Sequence, residues 1–210
     1  VKIAILVEGA TEMAFKSKLQ EFLQLRLGQQ MPKLKFICCK GRIHKEEKLR
    51  DVVENLLTGR DACHAVIALT DVYTGTKDFK DAADAKAQMK NWVGNNPKFY
   101  PHAASHDFEA WLLPFWSKIQ QISGGNRAVP SGPPELVNHN NPPSKRIEEI
   151  FEQGKRRSYK KARDAKSILD GENLMDAAVV CPELRDFLNT ILKLALWGRI
   201  DMRLLAGAQN

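Results

Sequence analysis

Four carboxylates stand where apolar runs end or begin, at spacings that could do chemistry: Glu8, Glu12, Asp71 and Glu109. Glu8 follows the run Ile3–Val7 and precedes Gly9, which lets the backbone turn without a Cβ in the way. Glu12 lies four residues on, the spacing that puts two side chains on one helix face. Asp71 closes a second run, Ala65–Thr70, and Glu109 sits in His106-Asp-Phe-Glu109 ahead of the apolar stretch Trp111–Phe115. Carboxylates are hard oxygen donors, and Mg²⁺ is commonly held through one or two of them together with water and substrate phosphate. The chain is otherwise basic, with 32 Lys and Arg against 25 Asp and Glu and a formal net charge of +7. Acidic strand ends on a basic protein predict a hard-metal site for phosphate chemistry, centred on Glu8 and Asp71. Simpler readings stand beside this one. Glu12 also suits a first-turn acid favoured by the helix dipole, and Asp107 a helix N-cap.

A second group of residues could hold a polyanion. Lys155–Lys166 contains seven positive residues and one acid. Arg156, Arg157 and Lys160 could neutralise phosphates, and Tyr159 among them could stack on a base. Lys161, or its neighbour Lys160, could stabilise charge developing on a transferred phosphoryl group. A solvated helix face is the alternative for such a run. Upstream, Pro143-Ser-Lys-Arg-Ile147 places Lys145 and Arg146 in the first turn of a helix with Ser144 as its N-cap. The dipole disfavours cations there, which points to a role in binding.

The elements that must position these residues follow from periodicity. Lys2–Val7, Lys33–Cys39, Ala65–Thr70 and Phe99–Ala104 read as strands. Thr11–Leu27, His44–Leu57 and Ala82–Val93 read as the helices between them. This βαβαβαβ order predicts a parallel sheet with right-handed crossovers, whose ligands bind beyond the carboxyl ends of the strands. Asp107–Trp116 reads as a short apolar helix, and Gly124–Pro143, rich in Gly, Pro and Asn, as a long exposed loop. Ser144–Glu152, Lys160–Leu169, Glu172–Ala178 and Pro182–Trp197 read as helices that pack back on the sheet. The organisation expected is an α/β core over 1–120, a loop over 121–143 and a helical part over 144–210.

Other chemistries lack their motifs. There is no GxxxxGK[ST] phosphate loop and no GxSxG, and the five histidines and four cysteines show no zinc-ligand spacing. Cys38 and Cys39 fall within the second strand, and no Cys pairing suggests disulfides. No run approaches the roughly 20 apolar residues that span a bilayer, and Ile3–Val7 is too short for a secretory core. A soluble cytoplasmic protein is expected.

The motifs Val7-Glu8-Gly9 and Thr70-Asp71 resemble those of the TOPRIM fold, the metal-binding α/β module of topoisomerases, primases and OLD-type nucleases. More of the chain is similar to a TOPRIM-like bacterial family known as a domain of unknown function. The resemblance runs through Val7–Glu12, Asp71-Val-Tyr73 with Gly75, His106-Asp-Phe-Glu109-Ala-Trp-Leu112 and Pro143–Ile147. It implies a TOPRIM-like parallel sheet of about four strands flanked by helices, with Mg²⁺ or Mn²⁺ held by Glu8, Glu12, Asp71 and Glu109. It implies cleavage of DNA or RNA, alongside a partner ATPase in phage defence or DNA repair. One residue departs from the pattern: Tyr73 stands where the second aspartate of Asp-x-Asp is expected, and Glu109 or Glu12 would supply the missing charge. The alternatives are a non-catalytic module that binds nucleic acid or a partner protein, and a nucleotide-processing phosphatase.

Overall fold

In a computed structural model of the chain, residues 1–72, 78–137, 141–155 and 157–207 are described, with side chains to residue 196. Tyr73, Gly75 and Arg156 lie outside the described residues. Four parallel strands, β1 (Lys2–Val7), β2 (Lys33–Cys38), β3 (Ala65–Val72) and β4 (Phe99–Ser105), lie in the order β2-β1-β3-β4. The two central strands carry the apolar runs and are buried on both faces, as a sheet covered by helices requires. The outer β2 instead carries Lys33 and Lys35 among half-buried residues. Val7 is in register with Cys38 on one side and Leu69 on the other. From β1 the chain crosses to one side for β2 and to the other for β3. The crevice where the order reverses therefore lies between the ends of β1 and β3, where Glu8 and Asp71 stand.

Helices α1 (Ala10–Leu27), α2 (Glu46–Thr58) and α3 (Ala82–Val93) form the crossovers. α2 and α3 cover one face, with Leu49, Val53, Met89 and Val93 packed on Ala4, Leu6, Val66 and Ala68. On the other face Phe15, Leu19, Phe22 and Leu23 of α1 pack on Ile3, Ile5 and Ile67. Met13, expected on the apolar side, is 36% exposed. The C-terminal helices α5 (Pro143–Gly154), α6 (Lys161–Leu169), α7 (Leu174–Val180) and α8 (Pro182–Gly207) extend this second layer, with α6 laid along α1 and α8 against β4.

Several local expectations are revised. Cys38 is exposed at the end of the edge strand, and Cys39 lies beyond it. The helix expected over Asp107–Trp116 is two 3₁₀ turns, Phe108–Trp111 and Leu113–Phe115, followed by α4 (Trp116–Ser123). Pro114 has no N–H to continue an α-helical ladder. The segment expected as a loop is anchored inside the protein. Glu135 and Val137 are buried, and the Glu135 carboxylate accepts hydrogen bonds from Trp111 Nε1 at 2.9 Å and from the Glu183 and Leu184 amides. α5 starts at Pro143, so Ser144 is inside the first turn and does not cap it. Gly154, at the end of α5, permits a close approach: a Cβ there would overlap the Ser123 carbonyl at the end of α4.

Candidate metal centre and nucleic-acid interface

Glu8 directly follows the first central strand and is 3% exposed. Its Oε1 accepts the Thr70 hydroxyl proton and the Asp71 amide at 3.2 Å. The strand pairing of β1 with β3 sets that contact. Asp71 belongs to β3, two residues beyond Leu69, the last residue in register with β1, and is buried, 7% exposed. Its Oδ1 has no hydrogen-bond partner. Burial first, and then the negative charges of Glu12, Glu8, Asp107 and Glu109, hold its pKa well above the usual carboxylate range. Five acids therefore act on one crevice.

Glu12 comes from the first turn of α1, 4% exposed, its pKa raised by burial and by Glu109. Gly9, the residue before that helix, is extended (φ −146°), and a Cβ would meet only Glu12 Oε2 at 3.5 Å. The backbone turn expected there does not itself demand glycine.

Asp107 and Glu109 are buried just after His106, whose φ of 67° lies in the left-handed region. A non-glycine residue there costs of order 1 kcal/mol, and such strain gathers at functional sites. Asp107 does not cap its own 3₁₀ turn. Its Oδ2 accepts the Ser144 amide at 3.1 Å, joining the start of α5 to the crevice, while Oδ1 is buried without a partner. Glu109 is 1% exposed, and burial, then Asp107, pushes its pKa up to about 7. Its Oε1 meets Tyr159 Oη and Lys161 Nζ, each at 3.3 Å. His106 lines an adjoining cleft with Val72, Ser105 and Glu135.

Lys161 reaches these acids from the N-terminus of α6. Burial works against its charge, but Glu109 and Asp107 outweigh that and raise its pKa, so it is a firm cation. Asp164, wholly buried, accepts the Lys160 amide at 2.6 Å and pairs with Arg163 at 2.8 Å and with Arg157. That knot holds the start of α6 in place.

The structure divides the residues expected to form a nucleic-acid track. Tyr159 does not offer its ring to a base: it packs on Phe151 with centroids 5.3 Å apart and donates to Glu109. Arg157 is spent on Asp164. Lys160 is exposed, and Lys145 is exposed with Glu148 3.3 Å away. Arg146 is half-buried with Nε unpartnered. Glu8, Glu12, Asp71, Glu109 and Lys161 come together; Lys145 and Arg146 join them only through the Ser144–Asp107 link. Sequence reasoning missed Asp107 as a member of the acidic group, Thr70 and Tyr159 as the donors that orient Glu8 and Glu109, and Asp164. The tight spacing of Asp107 and Glu109 was the available signal for the first.

A parallel sheet in this order with acidic ends on its two central strands defines a TOPRIM-like α/β fold. The chain belongs to the family described as "Domain of unknown function (DUF4276)", which matches residues 7–192. Among solved structures it is similar to the C-terminal region of the Burkholderia pseudomallei OLD protein, with TM-score 0.52 and 14% identity over 92% of this chain and 98% of that one. It is likewise similar to the C-terminal region of the Xanthomonas campestris pv. campestris OLD protein, with TM-score 0.52 and 14% identity over 96% and 97%. At such identity the likeness is one of fold. No curated protein matches the chain. Among the described residues, no helix is long and apolar enough to cross a membrane.

The donor set suits a hard divalent cation. Its donors are oxygens, two buried carboxylate oxygens (Asp71 Oδ1 and Asp107 Oδ1) have no partner, and one lysine faces several acids. Among the described residues no three His, Cys, Asp or Glu side chains form a ready-made ligand shell. The fit is therefore to an ion that keeps much of its water and takes one or two carboxylates, the habit of Mg²⁺.

Proposed function

We propose that the protein is a metal-dependent phosphodiester hydrolase that acts on DNA or RNA with Mg²⁺ or Mn²⁺. The observation that carries this reading is Asp71, a buried carboxylate with an unpartnered oxygen among four other acids, at the switch point of a parallel sheet. Leaving such a group uncompensated is expensive, and a bound cation would offset the cost. In this reading residues 1–120 carry the acids, the segment 121–143 joins the two parts, and the helical part 144–210 brings Lys161 to them.

When bound, the metal would neutralise the scissile phosphate and lower the pKa of water. Glu8 and Asp71 would hold it, Glu8 aimed by the Thr70 hydroxyl and the Asp71 amide, with Glu12 and Glu109 completing the donor set in place of the carboxylate absent at Tyr73. The Glu109 carboxylate, with a pKa near neutrality and oriented by Tyr159, suits the transfer of a proton to or from water. Lys161 would stabilise the charge on the non-bridging oxygens. Lys145, Arg146, Arg156, Arg157 and Lys160 would supply the outer contacts to the strand, those of Arg157 after release from Asp164. A cytoplasmic setting and a partner ATPase, in phage defence or DNA repair, belong to the same proposal on the strength of the resemblance.

The test is cleavage of plasmid, single-stranded DNA and RNA in Mg²⁺ and Mn²⁺, by the wild type and by Asp71→Asn. Cleavage by the wild type that disappears in Asp71→Asn supports the reading. Undiminished cleavage in the variant overturns it. Absence of cleavage, together with no rise in Tm at millimolar Mn²⁺, supports the non-catalytic binding module in its place.

A further inference from the structure

The narrow cleft that contains Glu8 and Asp71 has a second wall, made by Arg42, Lys45, Asp78 and Phe79. Arg42 and Lys45 both pair with Asp78, the lysine at 2.7 Å. Their side chains nevertheless stay 52% and 45% exposed, so the positive charge reaches the open side of the cleft. They belong to the connection between β2 and α2, which is fastened to the strand end that bears Glu8. The Cys39 amide donates to the Val7 carbonyl and the Gly41 amide to the Glu8 carbonyl, both at 2.8 Å.

Two features of this connection work against fold stability. Lys40 and Glu46, at its two ends, have φ of 57° and 49°, in the left-handed region that residues with a Cβ avoid. Lys45 occupies the N-cap of α2, makes no capping hydrogen bond, and puts a cation where the helix dipole disfavours it. Serine or aspartate would serve the helix better. Strain and a poor cap on either side of two cations, beside an acidic crevice, indicate a task other than stability.

We infer that Arg42 and Lys45 form a binding site for a backbone phosphate of a nucleic-acid strand, next to the phosphodiester bound at Glu8 and Asp71, with Asp78 as the carboxylate that this phosphate displaces. The inference deepens the hydrolase reading and rests on it for the path of the strand. Ile43 packs into the face covered by α2 and α3, whereas Lys161 arrives on α6, which packs on α1 at the opposite face. A strand laid across the sheet edge would therefore meet cations on both flanks of the acidic centre. Those flanking charges offset the repulsion that five carboxylates exert on a polyanion. Arg42 also has the planar fork that matches phosphate oxygens in pairs.

The experiment measures binding of a labelled DNA strand, the matching RNA strand and a DNA duplex in EDTA over a range of salt, so that no cleavage intervenes. Substituting alanine at both Arg42 and Lys45 should lower the slope of log affinity against log salt by about 0.7 for single strands and about 0.9 for duplex, the loss of one phosphate contact. Lys45→Ser, which improves the helix cap, should lower it by part of that amount with no fall in Tm. Asp78→Asn should tighten binding several-fold, an outcome that a purely structural ion pair does not produce. Unchanged slopes in the double variant and in Lys45→Ser overturn the inference, whatever the wild type cleaves. Reduced slopes in a protein that cleaves nothing in Mg²⁺ or Mn²⁺ keep the phosphate site and overturn the hydrolase reading. A wild type that binds none of the three overturns both.

Discussion

Replacing Glu109 with glutamine should make the metal-free protein more stable at alkaline pH, and the size of the gain follows from burial. The carboxyl group is 1% exposed, and its pKa rises from the ordinary 4.5 to about 7. Between those values the folded state holds a proton that the unfolded chain has lost, so stability falls as pH rises through the interval. At about 1.4 kcal/mol per pH unit the accumulated cost is about 3 kcal/mol above pH 7. Glu109→Gln removes that cost while keeping an oxygen for Tyr159 Oη. It forfeits only a pairing with the half-exposed Lys161, a small term once water screens it. Removing one negative charge also eases ionisation of Asp71, which acts in the same direction. For a domain of this length, about 3 kcal/mol corresponds to roughly 6–12 °C in Tm. Thermal unfolding in EDTA should thus show a variant several degrees more stable than wild type at pH 8, with the gap closing near pH 4.5. Added Mn²⁺ should then raise Tm more in the wild type than in Glu109→Gln, because the proposed metal site loses one of its carboxylates. A variant less stable than wild type at every pH, with an unchanged response to Mn²⁺, would refute both the electrostatic account and the placing of Glu109 at the metal.

Three further outcomes test other parts of the molecule. Asp71→Asn should keep the fold and raise the metal-free Tm while abolishing cleavage, which circular dichroism and a nuclease assay check together. Asp164→Ala leaves Arg157 and Arg163 without their buried partner and the start of α6 without an acceptor. It should cost about 3–5 kcal/mol in chemical denaturation and lower activity by displacing Lys161. His102, 6% exposed and bonded through Nε2 to Thr190 at 3.0 Å, has its pKa lowered to about 4, chiefly by burial. The unfolded chain takes up that proton first, so this contribution is present above pH 6.5 and is lost as pH falls towards 4, by about 3 kcal/mol. The acid limb of a pH–stability curve should be correspondingly shallower for His102→Gln.

Local pattern in the chain was enough for the skeleton. Strands apolar on both faces, such as Ile3–Val7 and Ala65–Thr70, can be satisfied only inside a sheet covered on each side, and alternation with amphipathic helices makes that sheet parallel. A parallel strand that ends in an acid must present it at the carboxyl edge, so Glu8 and Asp71 could be placed from sequence before any contact was known. Glu109 and Lys161 were legible less directly, through the motif His106–Leu112 and through the charge of their segments. Tertiary structure decided the rest. Strand order put β1 beside β3 and so made Glu8 a partner of the Asp71 amide. The packing of α6 on α1 carried Lys161 to Glu109 across fifty-two residues of chain, and it turned Tyr159 inward where the sequence had suggested a surface ring. The packing of α5 on the Phe108–Trp111 turn brings Ser144 to Asp107, which serves α5 and leaves its own turn uncapped. Periodicity reports what a residue needs from its immediate surroundings, burial or water. Which distant residue meets that need depends on how whole layers fit together, and that information is spread over every side chain in the core.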